Sequence, residues 1–137
     1  MASGNHKDPE SPSSVPQIED WGRLLDGRVA VVTGGGAGIG AAIAKLFAQH
    51  GAKVEIAEIS ETSGSAIADE IMAAGGVCRA HRIDVTKAAD VERLRAEVIG
   101  AHGGIDVLVN NVGDYRPLVR FAQQRQCTAH LSKSGAR

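Results

Sequence analysis

Hydrophobic and polar positions along this chain switch repeatedly between two spacings. Four short runs rich in Val, Ile and Ala, over residues 28–33 (RVAVVT), 53–59 (KVEIAEI), 77–85 (VCRAHRIDV) and 105–110 (IDVLVN), predict strands. The unbroken apolar stretch Val29-Ala30-Val31-Val32 suits a strand covered on both faces. Between the runs, apolar residues recur at helical spacing. Ile39, Ile43, Leu46 and Phe47 fall at i, i+4, i+7 and i+8, predicting one face of a helix over about 38–50, ended by Gly51. A second helix over about 61–74 carries Ile67 and Ile71, with Ser60 or Thr62 as cap and Gly75-Gly76 as stop. A third, with Thr86 as N-cap, runs to about His102, carries Val91, Leu94 and Val98, and ends at Gly103-Gly104.

Strict alternation of strand and helix predicts an α/β fold with a parallel sheet and right-handed crossovers. The expected architecture is a Rossmann-type doubly wound sheet, truncated to about four strands in the order 3-2-1-4. Its ligand belongs beyond the strand C-termini, between the first and fourth strands.

Composition bounds the rest. A length of 137 residues fits one domain. Aromatics are 3%, so the core is built from Ala, Val, Ile and Leu. A net charge of −1 gives no electrostatic reason for a nucleic acid or an anionic membrane as partner. Residues 1–20 are polar, Ser- and Pro-containing, without a secretory h-region, and read as a disordered or loosely attached extension. Residues 21–117 read as the folded α/β half-domain, with Trp21 or Leu24 pinning the leader. From Leu118 the chain carries no acidic residue and no sustained period, so 118–137 reads as an irregular polar tail. No stretch is long and apolar enough to span a bilayer. Cys78, in a predicted buried strand, and Cys127, in the tail, make neither a disulfide framework nor a zinc site, and a reducing, cytoplasmic setting is expected. The five histidines show no metal-ligand spacing; His50 and His102 fall at helix C-termini, where a cation is favourable.

The chemistry lies between the first strand and first helix. In Thr33-Gly34-x-x-x-Gly38-Ile39-Gly40, Gly34 lets the chain turn off the strand, Gly38 lets backbone approach a pyrophosphate, and Gly40 lets the helix pack closely. Free N–H groups and the positive end of the helix dipole favour the anion. The stricter G-x-G-x-x-G spacing is met only loosely, by Gly36, Gly38 and Ala41. Glu58, about twenty positions on at the end of the second strand, is placed to accept hydrogen bonds from the adenosine ribose hydroxyls; the plainer alternative is a solvated strand-end carboxylate. Its charge would repel the extra phosphate of NADP, and Ile59 and Ser60 provide no adjacent cation, so NAD is expected in preference to NADP.

Taken together, Thr33-Gly34 and Gly38-Ile39-Gly40, Glu58, Ile83-Asp84-Val85 and Asn110-Asn111-Val112-Gly113 resemble the classical short-chain dehydrogenase/reductase family, over about residues 27–113. The resemblance implies that Asp84 bonds the adenine amino group with support from the backbone at Val85, and that the segment from Asn110 to Gly113 lines the adenosine side and steadies the central strands. Asp84 also precedes a helix and reads equally as a capping carboxylate. Val112 stands where the family more commonly has alanine. The family's activity is hydride transfer between an alcohol or ketone and a nicotinamide cofactor, with a Tyr and a Lys four positions later at the reacting centre. Here Tyr115 is the only tyrosine and is followed four positions on by Val119, so no catalytic role is carried onto it; Ser132-Lys133 lacks a suitably placed tyrosine. The expectation is a chain that keeps NAD binding without the proton-transfer group. It would act on an alcohol or ketone only if completed by a C-terminal half, or serve as a non-catalytic NAD-binding half-domain, or be a truncated remnant. Val107-Leu108-Val109 is then an apolar edge open to self-association.

Overall fold

The computed structural model of the protein describes residues 21–113, the side chain of Trp21 excepted. The extension over 1–20, the pinning role of Trp21, the segment around Tyr115 and the tail with Cys127 lie outside the described residues. A short 3-10 turn at Trp21–Arg23 leads into β1 (Val29–Thr33), α1 (Gly38–Gln49), β2 (Lys53–Glu58), α2 (Glu61–Ala73), β3 (Val77–Arg82), α3 (Ala88–His102) and β4 (Val107–Val109). The strands form one parallel sheet, as the alternation predicted, in the order β3-β2-β1-β4 expected of the Rossmann-type architecture.

The sheet is covered on both sides because every residue of β1 is buried and its neighbours point to opposite faces. Ala30, Val32, Val54, Ile56 and Cys78 join Ala44 of α1 with Ala68 and Ile71 of α2 in one core. Val29, Val31, Ala57 and Ile83 join Leu94 and Val98 of α3 in the other. Two helices therefore lie on one face and the third on the opposite face. Burial pushes the Cys78 thiol up to about 12, with the nearby Glu55 charge adding to it, so the thiol stays protonated within the core.

Helix faces depart from the predicted stripes. In α1 the buried residues are Gly40, Ala41 and Ala44, with Ile43 and Phe47 packed at the core margin. Ile39 is 73% and Leu46 51% exposed. Small side chains bring this helix close to the sheet, which turns the larger ones outward. In α3, Leu94 and Val98 are buried as predicted, but Val91 is exposed.

Element ends differ for reasons of hydrogen bonding. Ser60 caps α2, accepting from the Ser63 N–H. Thr86 does not cap α3: the cap position is Lys87, without a side-chain bond, and the Thr86 hydroxyl instead donates to Asp84 Oδ1 at 2.6 Å. β3 stops at Arg82 rather than Val85, because the Asp84 N–H turns away to Asp90 Oδ2. β4 starts at Val107 rather than at 105. Asp106 anchors its entry, accepting the Val29 N–H on its carboxylate and donating its own N–H to the Val29 carbonyl.

A cluster of charged side chains lies in the core beneath α3. Glu55 of β2 is 1% exposed. His81 Nε2 meets its Oε2 at 2.5 Å, and His102 Nε2 meets its Oε1 at 2.6 Å. His81 Nδ1 in turn meets Glu97 Oε2 at 2.8 Å. The position of His102 at a helix end is thus accompanied by a specific partner in β2. Burial alone would push the Glu55 carboxyl up, but the hydrogen bonds and charge of the two histidines hold it below its ordinary value. The bond to Glu55, and then that to Glu97, raises His81.

Candidate functional site

The strand order reverses between the parallel neighbours β1 and β4, and a doubly wound sheet has its crevice at the carboxyl ends of such a pair. β1 delivers Thr33, and Gly34 follows at φ +65°, a backbone that side-chain-bearing residues rarely adopt. The Gly34 N–H donates to the Ala57 carbonyl at 2.8 Å, pinning the start of the turn to β2. Gly38, also at positive φ, opens α1 with free space where a Cβ would stand. At Gly40 a Cβ would lie 2.1 Å from the Gly34 carbonyl oxygen, so only glycine allows the helix to sit against the turn. Ala37, at the cap position, provides no side-chain bond to the first N–H groups of α1. The result is an uncapped helix start, with the positive end of its dipole, at a corner stripped of side chains.

Glu58 bends from the end of β2 onto this corner. Its Oε2 accepts the Gly36 N–H at 3.0 Å and its Oε1 accepts the Ser60 N–H at 3.2 Å. A Cβ on Gly36 would stand 2.8 Å from Glu58 Cγ, and one on Gly35 would stand 2.9 Å from Ile56 Cγ2. The carboxylate and the glycine turn are therefore one packed unit. Asp84 follows β3 at the same end of the sheet. Its Oδ1 accepts both the hydroxyl and the N–H of Thr86, and these bonds, with Lys87 nearby, hold its carboxyl below the usual range. Asp84 thus closes its own turn ahead of α3, while Val85 beside it is exposed.

On the other side of the crevice the residue that reaches the corner is Asn111, which lies within the Asn110–Gly113 segment that the resemblance placed there to steady the central strands. Its side-chain amide donates to the Gly34 carbonyl at 3.3 Å and its backbone N–H to Thr33 Oγ1 at 3.0 Å. The Thr33 hydroxyl in turn donates to the Val109 carbonyl at 3.1 Å. Thr33 and Asn111 clamp β4 to the glycine turn, and their adjacency to Gly34 and Asn110 was the available signal. Asn110, Val112 and Gly113 lie exposed along the same rim. Ile39, in the first turn of α1, presents an exposed apolar side chain. Among the described residues no group of three or more His, Cys, Asp or Glu side chains is arranged to hold a metal ion. No described helix is long and apolar enough to cross a membrane.

Comparison with known proteins places this geometry among its relatives. A family model described as short chain dehydrogenase matches residues 28–132. An uncharacterized oxidoreductase of Thermotoga maritima is 47% identical over 88 residues, covering 64% of this chain and 34% of that protein. A metagenomic short-chain oxidoreductase solved in complex with NADP superposes with a TM-score of 0.64 at 42% identity, over 66% of this chain and 41% of the other. A short-chain dehydrogenase/reductase from Burkholderia phymatum, solved with NAD, gives 0.63 at 37% identity, over 65% and 32%. The chain spans about a third of the length of the curated relatives it matches.

Proposed function

Since the chain belongs to the short-chain dehydrogenase family, we propose that residues 28–113 form the cofactor-holding part of an oxidoreductase acting on an alcohol or ketone, with NAD preferred over NADP. The observation that carries this proposal is the corner at Gly34–Gly40, an uncapped helix start with Glu58 folded against it. The pyrophosphate would lie on the N–H groups at the start of α1, over Gly38. Glu58 would exchange its bond to Gly36 for the adenosine ribose hydroxyls, and Asp84 with Val85 would border the adenine. Gly34, Gly40 and the Thr33–Asn111 clamp would keep the corner in shape, with Ile39, Asn110 and Gly113 along its rim. When bound, NAD supplies the acceptor for a hydride leaving an alcohol carbon.

The proton that leaves the alcohol in the same reaction needs its own acceptor. Residues 1–137 contain no tyrosine followed four positions later by lysine, since Val119 stands four after Tyr115. We therefore assign this stretch binding and orientation of NAD, and assign it no proton transfer. Unassisted, the chain would turn over alcohols poorly, because a general acid–base group contributes about 10²- to 10⁴-fold. A cytoplasmic setting accompanies this proposal.

Two measurements test it. Calorimetric titration of the full chain with NAD should give saturable heat, lost in Gly38→Val, which both fills the open space and forces a side chain onto positive φ. An absence of heat with the native chain would remove the proposal. Turnover of an alcohol panel with NAD should stay at background; a robust rate abolished by Glu58→Ala would restore catalysis to this chain.

A further inference from the structure

The register between β2 and β3 brings to Glu58 a neighbour that lies twenty-four positions away in the chain. Glu58 stands opposite Arg82 in the parallel pairing. The row they share is fixed by the core: Val54 and Ile56 on β2, and Cys78 with Ala80 on β3, face the side covered by α1 and α2. Glu58 and Arg82 continue that row to the carboxyl end of the sheet. Glu58 follows it onto the glycine corner, and its carboxylate is occupied by the Gly36 and Ser60 N–H groups. Arg82 is exposed and enters no ion pair with the described residues; only its backbone carbonyl is engaged, by Arg93. Two residues further on is Asp84, so Arg82 stands on the rim between the two carboxylates assigned to the adenosine side.

We propose that Arg82 is a specificity-determining residue of the dinucleotide site, providing the cation for a 2′-phosphate, so that the chain accepts NADP as well as NAD. This rests on the dinucleotide reading above and deepens it. Glu58 favours the free ribose hydroxyls and repels a phosphate placed on them. A guanidinium one strand away offsets that repulsion, and its planar fork of donors matches phosphate oxygens. The neighbours of Glu58 in the chain, Ile59 and Ser60, carry no charge, so the compensating cation comes across the sheet rather than along the sequence. Because Arg82 is exposed, its contribution is screened by salt.

The test is calorimetric titration of the full chain with NAD and with NADP, for the native protein, Arg82→Gln and Arg82→Lys, each first shown to unfold at an unchanged temperature. The native chain should bind both, NAD more tightly. Arg82→Gln should weaken NADP about fivefold, as expected for one exposed charge-assisted contact, while NAD stays within about twofold. Arg82→Lys should retain most of the NADP affinity, and the difference between native and Gln variants should shrink at high salt. An unchanged NADP-to-NAD ratio in Arg82→Gln, or native NAD binding with no detectable NADP binding, would overturn the role of Arg82. Binding of neither nucleotide by the native chain would instead remove the dinucleotide reading, and this inference with it.

Discussion

Glu55 shows how a single position in the pattern can hold a whole helix in place. It is the charged residue within the buried stretch Val54–Ala57 of β2, points to the α3 side, and is matched there by two imidazoles from different elements. A buried carboxylate without partners would cost several kcal/mol, so removing either partner should be felt. The pH dependence follows from the two shifts. His81 is raised above 6.5 in the folded chain, so its contribution is complete below 6.5 and is lost as pH rises through the raised value. Glu55 is lowered from 4.5, so its contribution is complete above 4.5 and is lost as pH falls through the lowered value. Stability from the cluster should therefore be greatest between 4.5 and 6.5 and decline on the alkaline side. Thermal unfolding across pH should show that decline in the native chain. His81→Gln should flatten it at a cost of about 1–3 kcal/mol. An alkaline slope unchanged by the substitution would contradict the assignment.

Among the elements, β4 is the least protected. It is three residues long, pairs among the described residues with β1 alone, and leaves Leu108 57% exposed on the α3 side. An unpaired apolar edge invites pairing with another chain. Sedimentation should show concentration-dependent association of the native chain, reduced by Leu108→Lys; a stable monomer at all concentrations would count against an open edge. The elements were legible in the sequence wherever their signal is local. Positive-φ glycines at 51, 75 and 103 end the three helices as predicted, and Ser60 caps α2. The misses occurred where a neighbour competes for the same group. Thr86 was unavailable as a cap because Asp84 takes its hydroxyl, and Ile39 and Leu46 lost the core face of α1 to smaller residues that allow a closer approach.

For the molecule as a whole, alternating strands and helices pointed to a parallel sheet with right-handed crossovers, and the Rossmann-type reading of the glycine turn supplied the order 3-2-1-4. The glycine corner and Glu58 were readable because they lie on one βαβ unit at fixed spacing. The clamp from Asn111 to Gly34, the histidines around Glu55 and the pairing of Arg82 with Glu58 were not, since each joins residues between 24 and 77 positions apart and appears only once the strands are in register. A dinucleotide is expected across the carboxyl ends of β1 and β2, over the glycine corner. Backbone amide chemical shifts of the full chain, recorded by NMR as NAD is added, test it most directly. We expect saturable shifts concentrated at Gly34–Gly40, at Glu58 and Ser60, and at Asp84 and Val85, with β3 and the C-terminal half of α3 little changed. Shifts centred on any other surface, or none at saturating NAD, would contradict it.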